Sequence, residues 1–199
     1  MTDLCVKLRR RGTLMFIRGY QLARTLFCRV ASTNTFTGKP ALHQPLQCAG
    51  RGKIAFGEKV SIGVFPSPHY LSTYAYLEAR NESASIEIGS GTWINNGFCA
   101  IAEFSSITIG KNCLIGACVE ILDSDFHGLS IEQRGMSKPE WTRPVTISDS
   151  VFIGSNVKIM KGVTIGYGSV IANGSVVVGD VPAGVIAGGV PAKKLGDIH

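Results

Sequence analysis

From Val145 onward the chain keeps a six-residue beat: V-T-I-S-D-S, V-F-I-G-S-N, V-K-I-M-K-G, V-T-I-G-Y-G, S-V-I-A-N-G, S-V-V-V-G-D. An aliphatic residue recurs at Ile147, Ile153, Ile159, Ile165, Ile171 and Val177. A helix turns every ~3.6 residues and does not resonate with a period of six. Within a hexad two sites alternate as in a strand, Val151 and Ile153 for example, and small or polar residues follow as a turn. One short strand and one turn per hexad predict a parallel β-helix, an all-β solenoid whose coils stack on a shared core. The beat also shows at Phe56 and Ile62, at Ile88, Ile94 and Ala100, and at Ile109, Ile115 and Ile121.

The first 31 residues follow another rhythm. Phe16, Tyr20, Ala23, Phe27 and Val30 recur at helical spacing, and Lys7, Arg11, Arg18 and Arg29 gather opposite them. The spacing predicts a basic amphipathic helix over 3–31, within an N-terminal segment 1–31. Two roles stay open for it: packing on the solenoid or a neighbouring subunit, or peripheral contact with an anionic membrane. Residues 32–53, rich in Thr, Gly, Pro and Gln, read as a connection or capping segment, and 54–199 as the solenoid. Insertions at 66–83 and 123–144 interrupt the beat. A solenoid that keeps time on both sides of an insertion projects a loop there, and projected loops carry sites.

Charge sharpens this division. Seven of the 20 basic residues lie in residues 1–31 against Asp3 alone of the 14 acidic ones, which leaves 13 of each sign elsewhere. A general attraction of the solenoid for nucleic acid is therefore not supported, and the question of an anionic partner belongs to the N-terminal segment. Arg18, Arg24 and Arg29 interrupt the apolar runs there, so neither a cleavable signal nor a spanning helix is expected. The six cysteines form no C-x-x-C pair and no His-spaced zinc pattern. They read as reduced thiols of a cytoplasmic protein without a metal.

The hexads combine with W-I-N-N-G-F at 93–98, D-S-D-F-H-G at 123–128, G-S-N-V-K-I-M-K-G-V-T-I-G at 154–166 and A-G-G-V-P-A-K-K at 187–194. Over about 54–195 this set resembles the hexapeptide-repeat acyltransferases, most closely the maltose/galactoside O-acetyltransferase branch and its polysaccharide-modifying relatives. The resemblance implies a left-handed β-helix, a homotrimer, and acetyl-CoA as co-substrate in the cleft between neighbouring prisms. It implies His127 as catalytic base and Asn96 facing that histidine across the subunit boundary. It places Gly154, Ser155, Asn173 and Gly174 along the pantetheine groove and Lys193 near the phosphorylated end of the coenzyme. Two departures stand out: the family's tryptophan before I-G is Phe152, and its Thr-Lys pair after S-V-V is Val178 and Gly179.

The residues suit that chemistry. A histidine titrating near neutrality is the natural base for a hydroxyl that attacks a thioester. Backbone N–H groups or the Asn96 amide would meet the oxyanion. Asp123 and Asp125 are candidates to orient the imidazole, with Asx turns as the plainer role. Asp125, Trp141 and Arg143 are the candidate acceptor-binding residues. No activated Ser or Cys nucleophile is evident, which favours direct transfer to a sugar or surface-polysaccharide hydroxyl. N-acetylation of an amino sugar, a non-catalytic scaffold, and a γ-type carbonic anhydrase needing three converging histidines are the alternatives.

Overall fold

A computed structural model describes residues 3–198, with side chains from Arg9 onward. Met1, Thr2, His199 and the Cys5 and Lys7 side chains of the expected helix lie outside the described residues. The chain forms one helix, α1 (Asp3–Val30), and then three mainly parallel sheets of eight, six and five strands. Phe152 lies opposite Val170, Lys158 opposite Val176 and Thr146 opposite Thr164, each one coil of three hexads further on. The result is a left-handed parallel β-helix with an N-terminal helix and projecting loops. Parallel strands of two to five residues are too short to accumulate the twist behind the usual right-handed crossover.

The beat becomes the core. Ile62, Ile94, Ile115, Ile153 and Ile171 stack inside the eight-stranded sheet, and Leu77, Ala100, Ile121, Ile159 and Val177 inside the six-stranded one. Each buried Ile, Leu or Val among them contributes about 1.5–3 kcal/mol. One corner column, Gly97, Cys118, Asn156 and Gly174, has φ between 56° and 74°. That left-handed conformation turns the chain sharply enough to begin the next strand, and it explains the Gly and Asn of the hexads.

Strand pairing starts earlier than the beat suggests. Ala41–Leu42, Leu46–Gly50 and Lys53–Phe56 already lie in the three sheets, so most of 32–53 is solenoid. The first insertion is likewise shorter than 66–83: Ala75–Ala79 pairs with Leu46–Gly50 and with Cys99–Ala102 as a regular strand. Its alternation, A-Y-L-E-A, was hidden because it follows an irregular loop rather than a hexad. The second insertion lies between Glu120–Leu122 and Val145–Ile147 and holds two short 3-10 turns, Ile131–Gln133 and Pro139–Trp141.

The helix docks by a side other than its apolar stripe. Gln21 is only 7% exposed and Cys28 is buried, whereas Phe16, Phe27 and Val30 are 76%, 72% and 80% exposed. Gln21 Nε2 donates to the Tyr70 carbonyl at 2.7 Å, and Arg24 donates to those of Tyr70 at 3.1 Å and Thr73 at 2.5 Å. The loop offers carbonyl oxygens, so polar side chains hold the helix and its apolar face is left free. No described helix is long and apolar enough to cross a membrane.

Candidate active site

Asp123 opens the 123–144 loop. It is buried, and its carboxylate accepts the N–H groups of Glu103 at 2.7 Å and Ser105 at 2.8 Å. Burial pushes its pKa up, and the N–H groups of Glu103, Ser105 and Phe104 pull it part of the way back. Ser124 follows and donates to the buried Glu103 carboxylate at 2.5 Å; Ser137, from the returning arm of the loop, donates to the same oxygen at 2.7 Å. Arg80 donates to the other Glu103 oxygen at 3.2 Å and lies over the Phe126 ring at 4.8 Å. Glu103 thus ties both arms of the loop to the solenoid.

His127 sits at the tip, exposed. Its Nδ1 is 2.7 Å from the Arg134 carbonyl oxygen. A carbonyl only accepts, so Nδ1 carries the proton and Nε2 keeps its lone pair. Gly128 follows because nothing larger fits: a Cβ there would lie 2.4 Å from Gln133 Cβ and 2.7 Å from the Gln133 carbonyl oxygen. Asp125, His127, Gly128, Leu129 and Arg134 line an open cleft of about 490 Å³.

Of the two roles open to the aspartates, orienting the imidazole is filled by neither within this chain. Asp123 is spent on backbone N–H groups, and Asp125 accepts from Lys161 Nζ, which also donates to the Trp141 carbonyl at 2.7 Å. The orienting group is the Arg134 carbonyl, which no residue pattern announces. Trp141 carries Lys138 Nζ at 5.3 Å from its ring centre, and the Arg143 side chain packs over Gly162 while its N–H donates to the Asp123 carbonyl. Neither lines the His127 cleft within this chain.

Asn96 also departs from its expected place. It is fully buried; its Oδ1 accepts the Val64 N–H at 3.1 Å, and its Nδ2 donates to the Val64 and Pro68 carbonyls at 3.0 and 2.9 Å. Ser155 Oγ meets the Ala117 N–H and Asn173 Oδ1 meets the Ser155 N–H at 3.1 and 2.7 Å, the same capping contact repeated up the corner. Asn96 is thus a member of a structural ladder, with its amide consumed. Its neighbour Asn95 accepts from the Asn96 N–H and Ser67 Oγ. Asn95 lines a cleft of about 230 Å³ with Val64, Trp93, Leu114 and Phe152.

The expected coenzyme residues share one edge. Gly154 and Ser155 lie directly below Ala172 and Asn173, and the Gly174 N–H donates to the Ser155 carbonyl at 2.9 Å. The N–H groups of Gly154, Ser155 and Gly174 are used within the solenoid. Asn173 and Lys193, both exposed, the latter on the antiparallel C-terminal strand Ala192–Asp197, are what this edge offers a ligand. Among the described residues no three His, Cys, Asp or Glu side chains come together as a metal site.

Comparison with known proteins fits this geometry. A family profile described as "Bacterial transferase hexapeptide (six repeats)" matches 144–179, and one described as "Hexapeptide repeat of succinyl-transferase" matches 106–133. The solved polySia specific acetyltransferase NeuO is 30% identical, with 80% of this chain and 71% of that one covered and a TM-score of 0.57. The chain belongs to the hexapeptide-repeat transferases. A hexapeptide-repeat acetyltransferase of Vibrio cholerae, solved with acetyl coenzyme A, is 38% identical over 57% of this chain and 61% of that one, with a TM-score of 0.52. The galactoside O-acetyltransferase of Escherichia coli is 37% identical over 58% of this chain and 56% of its own length. A 2,3,4,5-tetrahydropyridine-2,6-dicarboxylate N-acetyltransferase of Clostridium perfringens is 54% identical over 31% of this chain and 26% of its own. The chain spans about half the length, or less, of the curated relatives it matches.

Proposed function

We propose that this hexapeptide-repeat transferase moves an acetyl group from acetyl-CoA to a hydroxyl of a sugar or surface-polysaccharide intermediate at the cytoplasmic face of a membrane, with His127 as general base. The observation that carries this reading is the imidazole held through Nδ1 by the Arg134 carbonyl, on a residue that lines an open cleft. The acceptor hydroxyl gives its proton to Nε2 as its oxygen attacks the thioester carbonyl. The tetrahedral oxyanion then collapses, the C–S bond breaks, and the departing thiolate takes the proton back from Nε2. Every proton is returned, and no acyl-enzyme is needed.

The working form in this reading is a homotrimer. The His127 cleft contains none of Asn96, Trp141, Arg143, Gly154, Ser155, Asn173, Gly174 or Lys193. A site assembled from two subunits brings the coenzyme edge of one prism to the His127 loop of its neighbour, which supplies the proximity that such a transfer requires. Lys193 then faces the phosphates of the coenzyme, and Trp141 and Arg143 face the acceptor.

A second reading, acetylation of an amine, is favoured by the N-acetyltransferase similarity across the coils. An amine needs the same base, so the pocket alone does not separate the two. Transfer from acetyl-CoA to maltose, a thiogalactoside and glucosamine, with products located on oxygen or nitrogen, tests both. His127→Ala is expected to lower transfer about 10²- to 10⁴-fold while the exposed site leaves the melting temperature unchanged. Transfer at the wild-type rate by this variant would remove His127 from the chemistry.

A further inference from the structure

Helix α1 is fixed to the protein by its polar side and turns its apolar side outward. Viewed down the axis, Met15, Leu22 and Leu26 pass through Val30 to Phe16 and Phe27 in one sector, and all six are exposed. Between Gly12 and Val30 that sector holds no charged residue. Arg11, Arg18 and Arg29, all exposed, run along one border of it, and residues 4–31 contain no Asp or Glu. A helix of a soluble domain buries such a stripe. Here the bonds from Gln21 and Arg24 to the carbonyls of Tyr70 and Thr73 set the roll of the helix, so the stripe is presented as a fixed outer surface.

We infer that this face lies in the interface of an anionic lipid bilayer, with the helix parallel to the membrane plane. The six apolar side chains enter the boundary between headgroups and acyl chains, and the three arginines reach lipid phosphates with their stems along the apolar edge. Charge favours lipid over a second copy of the chain. A row of three arginines suits an extended anionic surface, whereas on the rest of the chain Glu87, Glu120 and Asp197 are paired with Lys53, Lys158 and Lys194 and the exposed Glu58, Glu82 and Glu132 are scattered along the sequence. Outside the N-terminal segment the chain is electrically balanced. A fixed surface also orients the enzyme, because the helix rests on the loop whose Pro68 and Val64 carbonyls hold Asn96.

The test is independent of the acetyl-transfer reading, because it uses no acceptor and no coenzyme. The full chain is sedimented with vesicles of phosphatidylcholine alone and with vesicles containing phosphatidylglycerol, at low and physiological salt. Binding is expected only to the anionic vesicles and should weaken with salt. Replacing Arg11, Arg18 and Arg29 together by Gln should reduce partitioning roughly 10- to 100-fold. The pair Phe16→Ser and Phe27→Ser should reduce it without lowering the melting temperature, since both rings are exposed, and without changing the mass by light scattering. Failure of the full chain to bind anionic vesicles overturns the inference, as does binding that survives both sets of substitutions. Dissociation of the oligomer by the Phe16→Ser and Phe27→Ser pair also overturns it and makes the face a subunit interface.

Discussion

Glu103 shows how a single residue holds the candidate site together. Its carboxylate is buried and accepts from Ser124, Ser137 and Arg80, which belong to both arms of the loop and to the solenoid body. Glu103→Ala leaves three donors without their acceptor, two of them hydroxyls of the loop, and is expected to cost about 2–4 kcal/mol. Thermal unfolding measures that cost, and faster proteolysis within 123–144 would locate it. Glu103→Gln keeps an acceptor oxygen and should restore most of the stability; a glutamine variant as unstable as the alanine one would contradict the account. Asp123 adds a pH effect. Burial raises its pKa when folded, so its contribution is complete below the ordinary carboxylate value and is lost as pH rises through the folded one. The wild type should therefore lose stability relative to Asp123→Asn as pH rises above the ordinary carboxylate value in urea titrations; a constant difference would contradict this. The sequence made His127 legible, because the loop breaks the beat around it. Its orienting partner was not legible, since a backbone carbonyl has no side-chain signature, and neither were the capping bonds of Asn96, because a capping asparagine and a reacting one look alike in a string. Glu103 did leave a trace, a lone acid ending the apolar strand C-A-I-A.

At the scale of elements, hexad timing located the strands wherever the turns were regular. It missed Ala41–Leu42, Leu46–Gly50 and Ala75–Ala79, where irregular loops precede strands of ordinary alternation. The helix was legible from its period, but its orientation was not: which face docks depends on what the receiving loop offers, and this loop offers carbonyl oxygens. Cys48 and Cys99 behave as parts of strands. Burial pushes the Cys48 thiol to about 12 and the Cys99 thiol, beside Glu120 and Glu78, to about 11. At pH 8 about one Cys99 in a thousand is then thiolate, against roughly a quarter for an unperturbed thiol. Iodoacetamide at pH 8 should leave both unmodified in the native protein and label them in urea, as read by peptide mass mapping. Rapid native labelling of Cys99 would show that this strand opens.

The whole molecule divides its work by charge and by surface. A neutral solenoid with an aliphatic interior carries the candidate chemistry on its corners and its long loop, and a cationic helix carries the apolar face. The outer side of the eight-stranded sheet adds a column of exposed Trp93, Leu114 and Phe152 beside the Asn95 cleft. The stacked β-solenoid was readable from period, because every hexad reports on the same core, and its left hand came from the resemblance. Period did not show that the candidate residues lie apart within one chain, with Asn173 and Lys193 outside the His127 cleft. The measurement that bears most directly on the central proposal is calorimetric titration of acetyl-CoA and coenzyme A into the purified wild-type protein and His127→Ala. Saturable binding of equal affinity in both is the expected result, because His127 acts on the acceptor proton and not on the coenzyme. Absence of binding in both would contradict an acetyl-CoA-dependent transferase and would leave a solenoid in which Val178 and Gly179, in place of the Thr-Lys pair, have removed the coenzyme site.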